Sequence, residues 1–128
     1  MKNQYTFSFN VTKNQIDLLN HVNNVVYVHW ILDAAEKHWT YLSSEIMNSK
    51  YVWVVLRHEI NYLAPAKFND KIQINTWVEK TIGAKSIRTV EIFKGEKLLV
   101  KSKTTWCLLD KQTMKPLRIP AEIFELFS

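Results

Sequence analysis

The stretch IDLLNHVNNVVYVHWILDAAE, residues 16–36, decides the fold of this chain. From residue 25 to about residue 42, apolar side chains recur with the 3.6-residue period of a helix and cover most of its circumference. Asn23 or Asn24 suits the N-cap, because a short carbonyl side chain accepts hydrogen bonds from the first free amides of a helix. A helix that is apolar around most of its surface is usually enclosed, so we expect it to be central and buried.

Five segments that flank this helix are predicted to be strands. Before the helix, aromatic or apolar side chains occupy every second position of residues 5–11, which is the period of a half-buried strand. Four further segments follow the helix and are separated by hairpin-length turns: residues 51–63, 71–80, 85–93 and 97–109. Residues 121–127 suit one or two helical turns. The order predicts an α+β fold, a single domain of residues 1–128 with an antiparallel five-stranded sheet wrapped around one long central helix.

The composition excludes several classes of protein. A single cysteine, Cys107, excludes an intrachain disulfide framework and a cysteine-rich zinc site, and two glycines are too few for a Gly-x-Gly-x-x-Gly nucleotide fingerprint. No apolar run approaches the ~18 residues of a membrane span, and residues 1–10 lack a signal-peptide core, so we expect a cytoplasmic protein with no membrane partner. The chain has 17 Lys and Arg against 12 Asp and Glu, a net charge of +5. These residues are scattered, so no nucleic-acid partner is expected.

Polar residues gather just before the predicted helix. Helix N-termini present free amides and the positive end of the helix dipole, which stabilise a developing oxyanion. The Asp17 carboxylate, a few residues upstream, can attack a carbonyl held on those amides or activate water toward it. The same residues also fit a structural interpretation, with Asp17 in a turn, Asn23 and Asn24 as caps and His21 as a loop histidine. The residues alone leave both interpretations open.

The sequence resembles the hotdog-fold acyl-thioester hydrolases over nearly its whole length. The segment HVNNVVYVHWILDAAE, residues 21–36, is similar to the opening of their central helix, especially in the 4-hydroxybenzoyl-CoA thioesterase-like branch and the plant acyl-ACP thioesterases. NYLAPAKFND, residues 61–70, looks like the strand end of these families, with a Tyr-x-x-Pro-Ala pattern followed by a turn aspartate. TWCLLD and KPLRIP, residues 105–110 and 115–120, resemble their last strand and tail. The order of these segments agrees with the predicted strands and helix.

This resemblance implies that Asp17 is the catalytic carboxylate, acting as nucleophile or as general base. In the acyl-ACP branch the motif is Asp-x-Asn-x-His, so His21 matches its histidine as a second catalytic candidate, whereas Leu19 replaces its asparagine. The departure favours a mechanism centred on Asp17. The hotdog hydratases use Asp-x-Asn-x-x-His, and Leu19 and Val22 break that pattern as well, so dehydration is disfavoured.

The resemblance also implies the remaining site residues. The backbone amides near Asn24 and Val25 would polarise the thioester carbonyl, and Tyr27 would pack in the core or line the acyl pocket. Basic residues are candidates for the CoA phosphates, since exposed Lys and Arg attract a polyanionic nucleotide. They are Lys67, Lys80, Lys85 and Arg88. No metal and no cofactor is expected, because CoA is part of the substrate.

The predicted function is therefore hydrolysis of an acyl-CoA thioester to a carboxylic acid and CoA. An acyl-ACP thioesterase and a non-catalytic module that binds acyl-CoA or acyl-ACP are the alternatives, and the acid at position 17 favours an enzyme, since a binding module has no need of it. Net charge alone suggests a weaker third candidate, a nucleic-acid binder. The exposed edge of the predicted sheet favours pairing with a second copy, so we expect a homodimer or a homotetramer.

Overall fold

The five strands form one antiparallel sheet. In the computed structural model, which describes residues 2–128, the strands are β1 (Gln4–Asn10), β2 (Tyr51–Tyr62), β3 (Lys71–Ile82), β4 (Lys85–Lys94) and β5 (Lys97–Asp110). Their order across the sheet is β1-β3-β4-β5-β2. They are accompanied by the helices α1 (Asn24–Leu42), α2 (Glu45–Lys50) and α3 (Ala121–Leu126). The predicted fold class, an antiparallel five-stranded sheet with one long helix, is confirmed.

One face of the sheet packs against α1, and the alternation of side chains along each strand selects this face. In β3 the side chains of Ile72, Ile74 and Val78 are buried, while those between them are exposed or half-buried, apart from Thr76 on the same inner face. β4 continues the inner face with Val90. Burying one such apolar side chain contributes about 1.5–3 kcal/mol, so this face is the main source of fold stability.

Helix α1 lies across the inner face and remains open on its other side. Its buried residues recur at helical spacing: Tyr27, Trp30, Ile31, Ala34, Ala35 and His38. Asn23 is the N-cap, as predicted for this position or the next, and its Oδ1 accepts the Val25 N–H at 3.1 Å. Val25 and Tyr41 lie on the open side, with 61% and 73% of their surface exposed. The single chain therefore encloses α1 only in part.

Two short elements were not predicted from the sequence. A 3-10 turn at Lys13–Gln15 leads into the loop before α1, and the short helix α2 follows α1 after a two-residue gap. Ser44 caps α2, since its Oγ accepts the Met47 N–H at 3.2 Å. The six residues of α2, EIMNSK, show no hydrophobic period. The other six-residue helix, α3, lies within the segment predicted to be helical, residues 121–127.

A polar cluster lies in the core beneath the C-terminal half of α1. His38 is fully buried, and Arg88 is only 4% exposed. Arg88 Nη1 donates to His38 Nδ1 at 2.9 Å and to Thr76 Oγ1 at 3.1 Å. Because a guanidinium only donates, His38 is a neutral imidazole whose proton is on Nε2, and this N–H donates to Asn3 Oδ1 at 2.7 Å. Burial, and next the charge of Arg88, lower the pKa of His38 to about 4.

Acidification is expected to destabilise the fold through His38. In the unfolded chain the pKa of His38 returns to its usual 6.5, whereas in the folded protein it is about 4. Between these values mainly the unfolded chain binds the proton, so the free energy of unfolding falls as the pH drops from 6.5 to 4. The loss from this residue is at most about 3 kcal/mol. Urea unfolding across this pH range measures it.

Two variants separate this contribution from that of the other acids and bases. His38→Gln removes the titrating group, so this part of the pH dependence is expected to flatten. His29→Gln changes an exposed histidine of the same helix and is expected to leave the profile as in the wild type. If His38→Gln kept the full pH dependence, the assignment to His38 would be wrong.

Candidate active site

The loop before α1 is shaped by Asp17. Asp17 Oδ1 accepts hydrogen bonds from the Leu19 and His21 N–H groups, at 2.8 and 3.1 Å. The backbone N–H of Asp17 donates to the His21 carbonyl at 2.8 Å, and Asn20 within the turn has a φ of 60°. Asp17 is exposed, and its Oδ2 has no hydrogen-bond partner among residues 2–128. One carboxylate oxygen therefore holds the turn while the other is available to a ligand.

Hydrogen bonds fix this loop against the chain that follows β2. The Val22 N–H donates to the Ala66 carbonyl at 2.9 Å, and His21 and Lys67 form an isolated β-bridge. From α1, the Tyr27 hydroxyl accepts the Ala66 N–H at 2.8 Å. Ala66 is fully buried, so both of its backbone polar groups need these partners. The end of β2 and the start of α1 are thus held together.

A cavity of about 490 Å³ lies between these two segments. Its walls are Asp17, His21, Val22, Asn23, Asn24, Tyr27, Tyr62, Leu63, Ala64 and Pro65. Four of the predicted site residues meet here, namely Asp17, His21, Asn24 and Tyr27, whereas Val25 is not part of the wall. The volume is in the range of sites for small molecules.

The first two amides of α1 differ in their availability. The Val25 N–H donates to the Asn23 side chain at 3.1 Å, so the N-cap occupies this amide. The Asn24 N–H has no hydrogen-bond partner among residues 2–128, and Asn24 lines the cavity. An oxyanion at this helix end would therefore meet the Asn24 amide, with the positive end of the α1 dipole behind it. That role stays a prediction.

Tyr27 stands between the core and the cavity. It is 3% exposed, and its ring packs edge-on against Trp30 and Tyr62 with centroid distances of 5.3 and 5.5 Å. Burial raises the pKa of its hydroxyl above the usual 10, so the phenol is neutral. Tyr27 therefore both packs in the core and forms part of the cavity wall, in line with the two roles predicted for it.

Tyr27→Phe is expected to lower the free energy of unfolding by about 1–3 kcal/mol, because the buried Ala66 N–H loses its acceptor. Urea or thermal unfolding measures the change. Tyr62→Phe is the control, since Tyr62 is 46% exposed and its hydroxyl makes no hydrogen bond among residues 2–128. Its effect is expected to stay within about 0.5 kcal/mol. If the two variants lost the same free energy of unfolding, the hydrogen bond to Ala66 would not be the source of the destabilisation in Tyr27→Phe.

Of the basic residues predicted to bind CoA phosphates, Lys67 lies near the cavity and Arg88 does not. Lys67 is exposed, and its backbone adjoins His21 through the β-bridge. Arg88 is buried against His38 and Thr76, so the prediction that it binds phosphate at the surface was wrong. The reason is its place in β4, where it shares the inner face with other buried residues.

Lys80 and Lys85 are exposed but lie far from Asp17 within one protomer. They flank the turn between β3 and β4, where Lys85 pairs with Cys107. Cys107 is seven residues, or about 23 Å, along β5 from Val100, the residue opposite Tyr62 in the cavity wall. A single chain therefore does not bring these two lysines to the cavity.

The end of β2 and the chain after it supply four wall residues that were not predicted as site residues: Tyr62, Leu63, Ala64 and Pro65. Their signal was present, because they belong to the Tyr-x-x-Pro-Ala pattern of residues 62–66. Pro65 cannot donate to a strand ladder, so the chain leaves the sheet at this point and passes over the start of α1. The pattern thus marks a turn that builds the site.

Neither a metal-binding cluster nor a membrane-spanning helix is found among the residues that the structure describes. No three His, Cys, Asp or Glu side chains of residues 2–128 lie close enough together to share a metal ion. No helix in the same part of the chain is both long enough and apolar enough to cross a membrane.

An antiparallel five-stranded sheet packed on one long helix is the architecture of the hotdog fold. The family model of the acyl-ACP thioesterase N-terminal domain matches residues 2–127, and the chain belongs to this family. The resemblance seen in the sequence is thereby confirmed.

Solved structures share the fold. A probable thioesterase from Bartonella henselae is 25% identical, with a TM-score of 0.79 over 92% of this chain and 100% of that chain. The probable thioesterase YbaW from Escherichia coli is 23% identical, with a TM-score of 0.81 over 94% of each chain. A thioesterase from Thermus thermophilus, complexed with coenzyme A and Zn, is 20% identical, with a TM-score of 0.84 over 95% of this chain and 90% of that chain. No curated protein sequence matches this chain. Family and fold together support a thioester hydrolase in general terms.

Proposed function

We propose that this protein is an acyl-CoA thioesterase, which hydrolyses an acyl thioester to a carboxylic acid and CoA with Asp17 as general base or nucleophile. The observation that carries the proposal is the Asp17 carboxylate, which has one oxygen held by the loop and one free oxygen at a cavity beside the start of α1. Family membership supplies the class of reaction. An acid with a free oxygen in such a cavity favours an enzyme over a binding module.

Two routes use the same groups. In the general-base route, Asp17 Oδ2 takes a proton from water as the water oxygen attacks the thioester carbonyl carbon. The oxyanion forms beside the Asn24 amide, the C–S bond breaks, and the CoA sulfur takes the proton. In the nucleophilic route, Asp17 Oδ2 attacks the carbon, CoA leaves first, and water then hydrolyses the mixed anhydride. Each route consumes one water and gives one acid and one thiol.

His21 and Lys67 take supporting roles in this proposal. The His21 imidazole lines the cavity but makes no hydrogen bond to the Asp17 carboxylate among residues 2–128. We therefore assign it to positioning the water or the carbonyl rather than to activating Asp17. Lys67 is exposed beside His21, where its charge can attract the CoA phosphates. The thioesterase from Thermus thermophilus that is complexed with coenzyme A supports CoA as the carrier, and an acyl-ACP substrate is the alternative that the family model favours.

The active unit that we propose is a homodimer in which β2 pairs with β2 of a second copy. β2 is the longer of the two edge strands, with twelve residues against seven in β1. Leu56 near its middle is 53% exposed, and Leu63 just beyond its end is 60% exposed. A long unpaired edge with exposed apolar side chains readily binds another strand. Since Tyr62 and Leu63 line the cavity, the second copy would cover its rim. A homotetramer would join two such dimers.

The test is release of free thiol from acyl-CoA esters with short, long and aromatic acyl groups, and from the matching acyl-ACP esters. We expect turnover of at least one acyl-CoA ester, and the preferred acyl group then gives the substrate class. If the protein hydrolysed acyl-ACP esters and no acyl-CoA ester, the carrier would be ACP rather than CoA. Tight binding of acyl-CoA with no thiol release would overturn the proposal in favour of a binding module.

A further inference from the structure

A second cavity, of about 530 Å³, lies at the other end of α1. Five of its thirteen wall residues are aromatic: Trp39, Tyr51, Trp53, Trp106 and Phe127. It shares no wall residue with the cavity at Asp17. Its wall includes Ala35, which is eleven residues, or about 16 Å, further along α1 than Asn24. A cavity of this size suits a small organic molecule.

One charged side chain of this cavity is buried and has no counter-charge. Arg88 lines the cavity, is 4% exposed, and makes no salt bridge among residues 2–128. Both of its hydrogen bonds leave from Nη1, to His38 and Thr76, so Nε and Nη2 have no acceptor in the described chain. His38 is neutral and adds no negative charge. An unpaired charge in such a site is unfavourable, so the guanidinium would gain from pairing with an anion that enters the cavity.

The other polar groups of the cavity do not supply this anion. The Trp106 Nε1–H is a second buried donor without an acceptor. Glu36 and Lys111 are exposed, and Glu36 forms no ion pair with Arg88. Among residues 2–128, the buried polar side chains of the wall therefore provide a cation and a hydrogen-bond donor, while the one acidic wall residue, Glu36, is exposed and does not pair with Arg88. This is complementary to an anionic ligand.

We propose that this second cavity binds a small organic carboxylate with an aryl or alkyl body, whose carboxylate pairs with the Arg88 guanidinium. The planar fork of an arginine matches a carboxylate through two parallel hydrogen bonds, and Nε and Nη2 form the available pair. His38 and Thr76 hold Nη1, and the Phe127 ring lies 5.3 Å from Cζ, so the guanidinium is fixed before a ligand arrives. The aromatic walls accommodate the apolar body of the ligand.

This inference does not rest on thioesterase activity. The carboxylate can belong to a free acid or to the far end of an acyl group, and the two sources present the same chemistry to Arg88. Binding of the free acid is therefore tested first, by calorimetry with 2-naphthoate and with 2-naphthamide, which has the same ring system and no charge. We expect the wild type to bind 2-naphthoate about 10–100-fold more tightly than the amide.

Arg88→Met removes the charge and keeps an apolar side chain of similar length. We expect it to bind the two probes with equal affinity, while Lys85→Met, at an exposed lysine of the same strand, keeps the preference of the wild type. Equal binding of the two probes by the wild type would overturn the proposal without any variant, and so would no binding of 2-naphthoate. If Lys85→Met lost the preference for 2-naphthoate to the same extent as Arg88→Met, the proposal would also be overturned, since surface charge would then explain the preference.

Two CoA thioesters with acyl groups of equal length, one ending in a carboxylate and one in a methyl group, distinguish the sources. If Arg88→Met weakens both 2-naphthoate and the carboxylate-ended thioester but not the methyl-ended one, the cavity also binds the far end of an acyl group. If it weakens 2-naphthoate and neither thioester, the ligand is a free acid. Both results support an anion site at Arg88. If Arg88→Met weakened none of these ligands, the proposal would be wrong.

Discussion

Asp17→Asn is expected to lower kcat/KM for thioester hydrolysis by about 100-fold or more, which is the scale for removal of an acid–base group. The substitution retains a carbonyl oxygen that can accept the Leu19 and His21 N–H groups, so the loop keeps its shape. The new amide nitrogen replaces Oδ2, and it can neither take a proton from water nor attack the thioester. The loss is therefore chemical rather than structural. Thiol release at several substrate concentrations measures it.

Asp110→Asn is the matched control for this variant. Asp110 Oδ1 accepts the Gln112 and Thr113 N–H groups at 2.8 and 3.0 Å, which is the same kind of turn. Within one protomer, Asp110 pairs with Tyr51, at the opposite end of β2 from the Asp17 of the same chain. We expect Asp110→Asn to retain the activity of the wild type. If Asp17→Asn also retained it, Asp17 would not be the catalytic carboxylate, and His21 would become the first candidate.

Leu56→Lys is expected to convert the homodimer to a monomer, with a dimer dissociation constant at least about 100-fold higher. Antiparallel pairing of β2 with its copy about the middle of Tyr51–Tyr62 places Leu56 opposite Arg57 of the second copy. The variant would therefore place a lysine opposite an arginine of the same charge, which destabilises the strand pair. Light scattering after gel filtration, over a range of protein concentrations, measures the change.

Ile46→Lys controls for the loss of an exposed apolar side chain. Ile46 is 67% exposed on α2 and is not part of the β2 ladder, so this variant is expected to remain a dimer. Activity is expected to fall with the dimer, because the second copy covers the rim of the cavity at Asp17. A wild-type protein that is monomeric at all concentrations would contradict the proposed assembly, as would a dimer unaffected by Leu56→Lys.

Long periodic elements were predictable because their period carries the structural information. Helix α1 begins and ends within a residue of its prediction, and the strand predicted at residues 71–80 is β3, which extends two residues further. The same strand period also indicates that Arg88 is buried, although it was predicted to lie at the surface. Arg88 lies two residues before Val90, so strand alternation alone places it on the buried face.

Part of the site depends on contacts that the sequence does not display. The presence of a cap was predicted at Asn23 or Asn24, but only the folded chain shows that the cap occupies the Val25 amide and leaves the Asn24 amide free. The placement of Tyr62 opposite Asp17 depends on the β-bridge between His21 and Lys67. Such long-range pairings are set by tertiary packing and not by local propensity.

The most direct test of the central claim is simultaneous measurement of free CoA and free carboxylic acid from one acyl-CoA ester under multiple-turnover conditions. An acyl-CoA thioesterase is predicted to release the two products in equal amounts, each far in excess of the protein. If an ester that binds at the Asp17 cavity were recovered intact, with no acid formed, the protein would be a binding module and the proposed hydrolysis would be contradicted.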